Sequence, residues 1–340
     1  MGNFDAERRR TAEDTLRAAG PGTLRFAFVT DTHLSDTGDD TRENIRAVDE
    51  LVGYRFVLHG GDFLNGYNPP KLTERLYGEE ASAYAAAIRA NKLFPVQGNH
   101  DGYRDETYLR QDVPNAKPDP WYHGITRFVD GYPETTRLGD DPFYYADFSE
   151  CQVRLIVLAS MEYTFCPETK DYCHWSGFSE RQCLWFCNEA IAVPDGWTIL
   201  VTSHIPPISV YLNDPEHEGM AARNGRALAD LLCAMKRRGR IDVFGKRFDF
   251  SSCGVSVAAW LYGHIHGDCD RGYKELPMVT TASQTAYIPQ LWGMEYGGFP
   301  SPRILGEPSQ DCWDSVVLNP AARTLSLFRF GAGEDRRIRF

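Results

Sequence analysis

Short apolar runs alternate with amphipathic stretches along most of the chain. Leu24 to Thr30 (LRFAFVT) is nearly continuous in apolar character and predicts a buried strand. Thr41 to Leu51 repeats apolar residues at helical spacing, with Thr41 as the expected cap and Glu43 in the first turn. Arg55 to Leu58 predicts a second strand, Leu72 to Asn91 a long alanine-rich helix, and Leu93 to Val96 a third strand. This β-α-β-α-β order implies a largely parallel sheet with helices on both faces.

Residues 103–142 break the pattern. They are rich in Pro, Gly, Asp and aromatics and are expected to form an inserted loop region. Strand character returns at Phe143 to Phe148 and Val153 to Ala159, and a helix opened by Ser179 runs to Ala192. Thr198 to Thr202 predicts a strand, Asn224 to Arg238 a helix and Ala258 to Tyr262 another strand. Val316 to Leu318 and Thr324 to Phe330 predict a hairpin within C-terminal strands spanning 313–340. Residues 1–20 form an expected N-terminal helical extension. No fixed-period repeat and no composition shift marks a linker, so the 340 residues are expected to form a single α/β domain with insertions.

Composition narrows the classes. Apolar residues at 42% and charged residues at 24% fit a folded globular chain. The longest dense apolar stretch, Val153 to Met161, is about half of what a helical membrane span needs. A net charge of −11 argues against a general phosphate-backbone binder, so nucleic acid is not the expected partner. The N-terminus carries charge where a secretory signal needs an apolar run, and Ala6 stands where a myristoylation site wants Ser or Thr, so the expected location is cytoplasmic. Nine cysteines, an odd number with no paired CxxC, are expected to be mostly small buried hydrophobes.

The chemistry gathers where strands end, the edge at which open α/β sheets place their sites. The first strand runs into Asp31-Thr32-His33, the second into Gly60-Gly61-Asp62 and the third into Gly98-Asn99-His100-Asp101. The later strands run into Ser203-His204 and Gly263-His264-Ile265-His266. Carboxylate, imidazole and amide oxygen are donors suited to Mn, Fe or Zn, and a pair of ions needs one carboxylate to bridge it. The glycines before Asp62 and Asn99 would let backbone approach such a cluster, and Gly263 and Gly267 would permit a turn that brings both His264 and His266 to it.

These five blocks, in this order, resemble the calcineurin-like metallophosphoesterases over about Asp31 to His266, and Gly177, Gln182 and Trp185 resemble the helix that precedes the fourth block. The resemblance implies a sandwich of central β-sheets flanked by helices, with the site at strand C-terminal ends. It implies two metal ions, one held by Asp31, His33, Asp62 and His266 and the other by Asp62, Asn99, His204 and His264. A water between two cations is acidified to hydroxide near neutral pH and can attack phosphorus in line. His100 is the expected non-ligand catalytic imidazole, oriented by Asp101. Asn65 departs from the purple acid phosphatases, which place a tyrosine ligand at this point of the second block.

Elsewhere plainer roles prevail. His123, His174 and His217 are expected to be ordinary polar residues, whereas His59, three residues before Asp62, is a candidate to support the ligands. Asp36, Asp39 and Asp40 read as a solvated loop before Thr41. Gly331-Ala332-Gly333 is followed by no βαβ unit and is not read as a nucleotide loop. The expected substrate is a small organic phosphoester, with a slight lean toward a diester, because the five blocks contain no Arg or Lys to clamp a dianionic monoester. Arg104 is the nearest candidate cation, with Arg223 and Arg226 after it, and Tyr122 and Tyr211 are candidate pocket walls. A phosphomonoesterase, a nuclease and a non-catalytic metal-stabilised scaffold are the competing expectations.

Overall fold

Leu24, Phe26 and Phe28 of the first strand point into one apolar core, and Ala27 and Val29 point into another. This alternation follows from the two-residue period of a strand and makes the strand a wall between two buried layers. In the computed structural model, which describes residues 3–34, 38–66, 70–102, 125–162, 176–209, 222–282 and 303–340, that strand sits inside one of two large mixed sheets.

The first half of the chain contributes α1 (Phe4–Ala18), β1 (Leu24–Val29), α2 (Gly38–Val52), β2 (Val57–His59), α3 (Pro70–Ala85) and β3 (Leu93–Pro95). There follow β4 (Thr135–Arg137), β5 (Tyr144–Phe148), β6 (Val153–Val157), α4 (Glu180–Trp185), β7 (Thr198–Thr202) and α5 (Gly225–Lys236). The remainder supplies β8 (Arg240–Val243), β9 (Lys246–Asp249), β10 (Ser256–Tyr262), β11 (Arg271–Tyr273) and β12 (Leu276–Thr280), then β13 (Cys312–Asn319), β14 (Thr324–Gly331) and β15 (Arg336–Arg339). One sheet has the order β15-β14-β13-β1-β2-β3 and the other β11-β12-β10-β7-β6-β5-β4, with β8-β9 as a separate hairpin.

The two large sheets face each other across a core that includes Phe26, Phe28, Leu58, Val153, Leu155, Leu200, Ala258 and Val316. The helices α1, α2 and α3 cover the outer face of the six-stranded sheet through Ala12, Ile45, Val48, Tyr77 and Ala81. On the far side, α4 and α5 cover the seven-stranded sheet through Cys183, Trp185, Leu228 and Leu232.

A largely parallel sheet is therefore only part of the outcome. The run β1-β2-β3 is parallel, as the β-α-β-α-β order requires, but β13 adds antiparallel to the other side of β1 and extends into the predicted hairpin with β14. The stretch expected to be an inserted loop supplies, from residue 125 onward, a helical turn over Ile125–Val129 and the edge strand β4, paired to β5. Thr41 does not cap its helix: α2 starts at Gly38, and the Thr41 hydroxyl donates to buried Asp311. The alanine-rich helix ends at Ala85, and the Arg89 N–H turns aside to the Asp49 carboxylate. Ser179 caps α4 as expected, accepting from the Gln182 N–H. Among the described cysteines all seven are free and five are buried.

The C-terminal hairpin is tied to the rim of the other sheet by buried charge. Arg329 of β14, 1% exposed, donates to Asp314 at 3.0 Å and to both oxygens of Asp268, at 2.7 and 3.0 Å. Arg336 joins the same carboxylates and reaches Asp270 at 2.9 Å. Asp268 also accepts the Ala282 N–H, so the segment after β10 is fixed by groups far away in sequence. Removing one member of a buried ionic network leaves its partners desolvated and uncompensated. Arg329→Leu is expected to cost about 3–5 kcal/mol, read as a lowered urea midpoint with an unchanged slope.

Candidate metal centre

Every strand that ends in one of the five blocks delivers it to the same seam. The loop after β1 carries Asp31 and His33, that after β2 carries Asp62, and that after β3 carries Asn99 and His100. From the opposite sheet, β7 delivers His204, and β10 delivers His264 and His266. The two sheets meet here through polar contacts: the His264 N–H donates to both Asp31 oxygens at 3.1 Å, and Asn99 Oδ1 lies 2.9 Å from His204 Nε2 and 2.8 Å from His264 Nδ1.

Backbone conformation at the seam is unusual. Asp31, His33, Asp62, His264 and His266 all adopt left-handed φ, between 48° and 70°. Asp and His tolerate this region better than most side chains, but each instance is costly and persists only where the surroundings impose it. The GHIHG segment does turn, yet its left-handed residues are the two histidines rather than the glycines expected to permit the turn. Gly263 is needed for closeness instead, since a Cβ there would overlap Thr30 Oγ1 and lie 2.8 Å from Asp31 Oδ2. A Cβ at Gly98 would overlap the Asp62 backbone nitrogen and its Oδ1.

Two groups of donor atoms result. Asp31, His33, Asp62 and His266 form one, and Asp62, His204 and His264 form the other, with the atoms of each group within 4.8 Å of one another. Backbone carbonyls set the imidazoles. A carbonyl can only accept, so His33 Nδ1 donates to Leu64 O at 3.0 Å and His204 Nδ1 to Gly60 O at 2.8 Å. In the neutral rings the lone pair is then on Nε2, which for His33 stands 3.1 Å from His266 Nε2 and for His204 stands 3.2 Å from Asp62 Oδ2. Ring Nε2 atoms and carboxylate oxygens thus converge at the centre of the cluster. Asp62 is common to both groups, and its buried Oδ2 lies 3.2 Å from His204 Nε2 and 3.9 Å from His33 Nε2.

That arrangement fits divalent cations, which satisfy converging lone pairs and a carboxylate shared between two donor groups. The electrostatics agree. Burial disfavours a charge on His204, but Asp62 and Asp31 outweigh it and hold the imidazolium up at about 9. Burial and the His204 charge drive His264 down to about 3, and the surrounding imidazoles hold Asp62 well below the usual carboxylate range against the opposing effect of burial. The pocket demands positive charge at its middle, and a proton on His204 supplies there what a cation would.

His100 stands beside this group without being one of its donors. Its N–H donates to Asp62 Oδ1 at 2.7 Å, its Nδ1 donates to Asn65 O at 2.8 Å, and its ring lies edge-on to His33 with centroids 4.9 Å apart. Asp101 does not orient that ring. Its buried carboxylate accepts four backbone N–H groups, from Asp62, Phe63, Leu64 and Gly98, at 2.7–3.2 Å, and so fixes the loop that carries Asp62. The carbonyls of Gly60, Leu64 and Asn65 that set three imidazoles are backbone atoms, and no side-chain pattern signals them. Arg104, Tyr122 and Tyr211 lie outside the described residues. Arg226 extends over the Tyr273 ring, 5.9 Å from its centroid.

Comparison with known proteins bears on this geometry. No curated protein matches the chain. Among solved structures, a dimetal phosphatase from Danio rerio is 14% identical, with 94% of this chain and 100% of that one covered and a TM-score of 0.57. GAP50, the anchor in the inner membrane complex of Plasmodium, is 14% identical over 91% of this chain and 84% of its own, with a TM-score of 0.46. The phosphopantetheinyl hydrolase PptH of Mycobacterium tuberculosis is 11% identical over 84% and 99%, with a TM-score of 0.42. The Danio rerio likeness is one of fold. The sequence profile of the calcineurin-like phosphoesterases matches residues 24–268, a span that contains all five motif blocks, and the chain belongs to that family.

Proposed function

We propose that the chain hydrolyses a phosphoester of a small organic substrate, using two divalent ions held at the seam between the sheets. Asp31, His33, Asp62 and His266 would hold one, and Asp62, Asn99, His204 and His264 the other. The observation that carries this reading is the buried Asp62 carboxylate, which is common to both donor groups. Bound there, the ions would supply an acidified water and the positive charge that offsets the non-bridging phosphate oxygens.

The residues around them supply the rest. Asp31 and Asp62 bring the negative charge that retains cations, and the carbonyl-bound histidines present fixed Nε2 lone pairs. His100 has its Nδ1 proton committed to Asn65 O, so Nε2 is the ring atom left free to act on the substrate, and it would hand a proton to the departing oxygen from the doubly protonated ring. Asp101 acts on the site through backbone, by holding residues 62–64 against residue 98. The lean toward a diester rests on the absence of Arg and Lys from the five blocks, since a monoanionic diester needs no further cation.

Metal content tests the shared carboxylate. Asp62→Ala is expected to lose both equivalents and His33→Ala mainly one; saturation of the wild type at one ion, with Asp62→Ala retaining it, would exclude the bridge. His100→Ala should keep its metal and lose about 10²- to 10⁴-fold in turnover, most for leaving groups that need a proton. Asp101→Asn turns an amide NH₂ toward backbone N–H donors and should cost about 1–3 kcal/mol of stability, an effect that a ring-orienting role would not produce. For the substrate, kcat/KM for bis(4-nitrophenyl) phosphate and 4-nitrophenyl phosphate is compared under one metal condition, in wild type and Arg104→Ala. The diester is expected to be preferred, and a monoester preference that collapses in the variant identifies a phosphate clamp instead.

A further inference from the structure

His59 is fully buried at the end of β2 and is not a donor in either group of the cluster. Its contacts reach two of the three loops that carry the first donor group. The Gly61 N–H donates to His59 Nδ1 at 3.2 Å, which leaves the ring proton on Nε2. That Nε2 lies 3.1 Å from Thr32 Oγ1 and donates to it. Phe63 stacks on the ring, with centroids 3.4 Å apart and planes 14° from parallel. Thr32 lies between Asp31 and His33, while Gly61 and Phe63 flank Asp62.

We infer that His59 is a positioning residue that reinforces the spacing between the Asp31–His33 loop and the Asp62 loop, through the Thr32 hydroxyl on one side and the Gly61 N–H on the other, beside the backbone bonds in which the Asp31, His33 and Leu34 N–H groups donate to the carbonyls of Gly61, Asp62 and Phe63. The inference rests on the proposed two-ion reading and adds to it a residue that touches no ion. Asp31, His33 and Asp62 all adopt left-handed backbone, so their positions are not maintained by local preference. A rigid ring wedged between them, with both nitrogens committed, holds the two loops in one relation. The consequence is selective in degree: Asp31 and His33 belong to the first group alone, so slackening the link weakens that group most, whereas the second group shares only Asp62 with the two linked loops.

The test uses full-length protein loaded with manganese(II) and dialysed against graded chelator. Thr32→Val keeps the volume of the side chain and removes the hydroxyl; His59→Asn keeps an acceptor for Gly61 but cannot reach Thr32; His59→Gln can reach it. Loss of supporting partners of this kind typically weakens metal binding about 10- to 100-fold. Thr32→Val and His59→Asn are expected to release one equivalent at about 10- to 100-fold less chelator than wild type, with His59→Gln retaining more than His59→Asn. If the variants fall only in melting temperature while retention matches wild type, His59 is a packing residue and the inference is overturned. Should His59→Asn not fold, Thr32→Val decides alone. Wild-type protein that retains no manganese would instead overturn the metal reading itself, an outcome separable from the failure of His59.

Discussion

Burying two carboxylates beside four imidazoles in the seam of a sandwich is the constraint on which the rest of this molecule depends. Asp31 and Asp62 are 0% and 1% exposed, and taking a carboxylate out of water is unfavourable by several kcal/mol unless compensating charge is brought to it. The compensation comes from groups that the chain places tens to hundreds of residues apart: the His264 N–H on Asp31, the His100 N–H on Asp62, and imidazoles from both sheets. Asp62 Oδ2 stands 3.2 Å from His204 Nε2 and 3.9 Å from His33 Nε2, at the junction of the two donor groups, and that is the place where a cation fits.

The sandwich makes this convergence possible. The parallel run β1-β2-β3 and the parallel run β6-β7-β10 both end at the same rim, and the shared core of Phe, Leu and Val side chains holds the two rims at contact distance. Helical cover on both outer faces leaves the rim as the open edge. The strain in the left-handed loops is balanced by this scaffold, since neither loop would choose its conformation alone.

A second tier of buried polar groups converts scaffold rigidity into precision. Asp101 gathers four N–H groups, the carbonyls of Gly60 and Leu64 fix ring tautomers, and Arg329 with Arg336 anchors the segment after His266. None of these groups faces the centre of the cluster. Each fixes a loop whose own hydrogen bonding is incomplete, which is why irregular backbone persists in a buried place.

What the sequence determined by itself was the register of chemistry on structure. Apolar runs ending in DTH, GGD, GNHD, SH and GHIH placed Asp31, His33, Asp62, Asn99, His204, His264 and His266 at strand ends, because a strand's apolar character and the polar residue that stops it are both local properties. It also gave the parallel β1-β2-β3 unit and the C-terminal hairpin, whose partners are near in sequence. Tertiary structure alone decided the rest. That β13 would join β1, that Asp101 would hold backbone instead of a ring, and that Arg329 would reach Asp268 are pairings across tens to hundreds of residues. They are settled by which buried donor finds which buried acceptor when the two sheets close, and no local pattern carries that information.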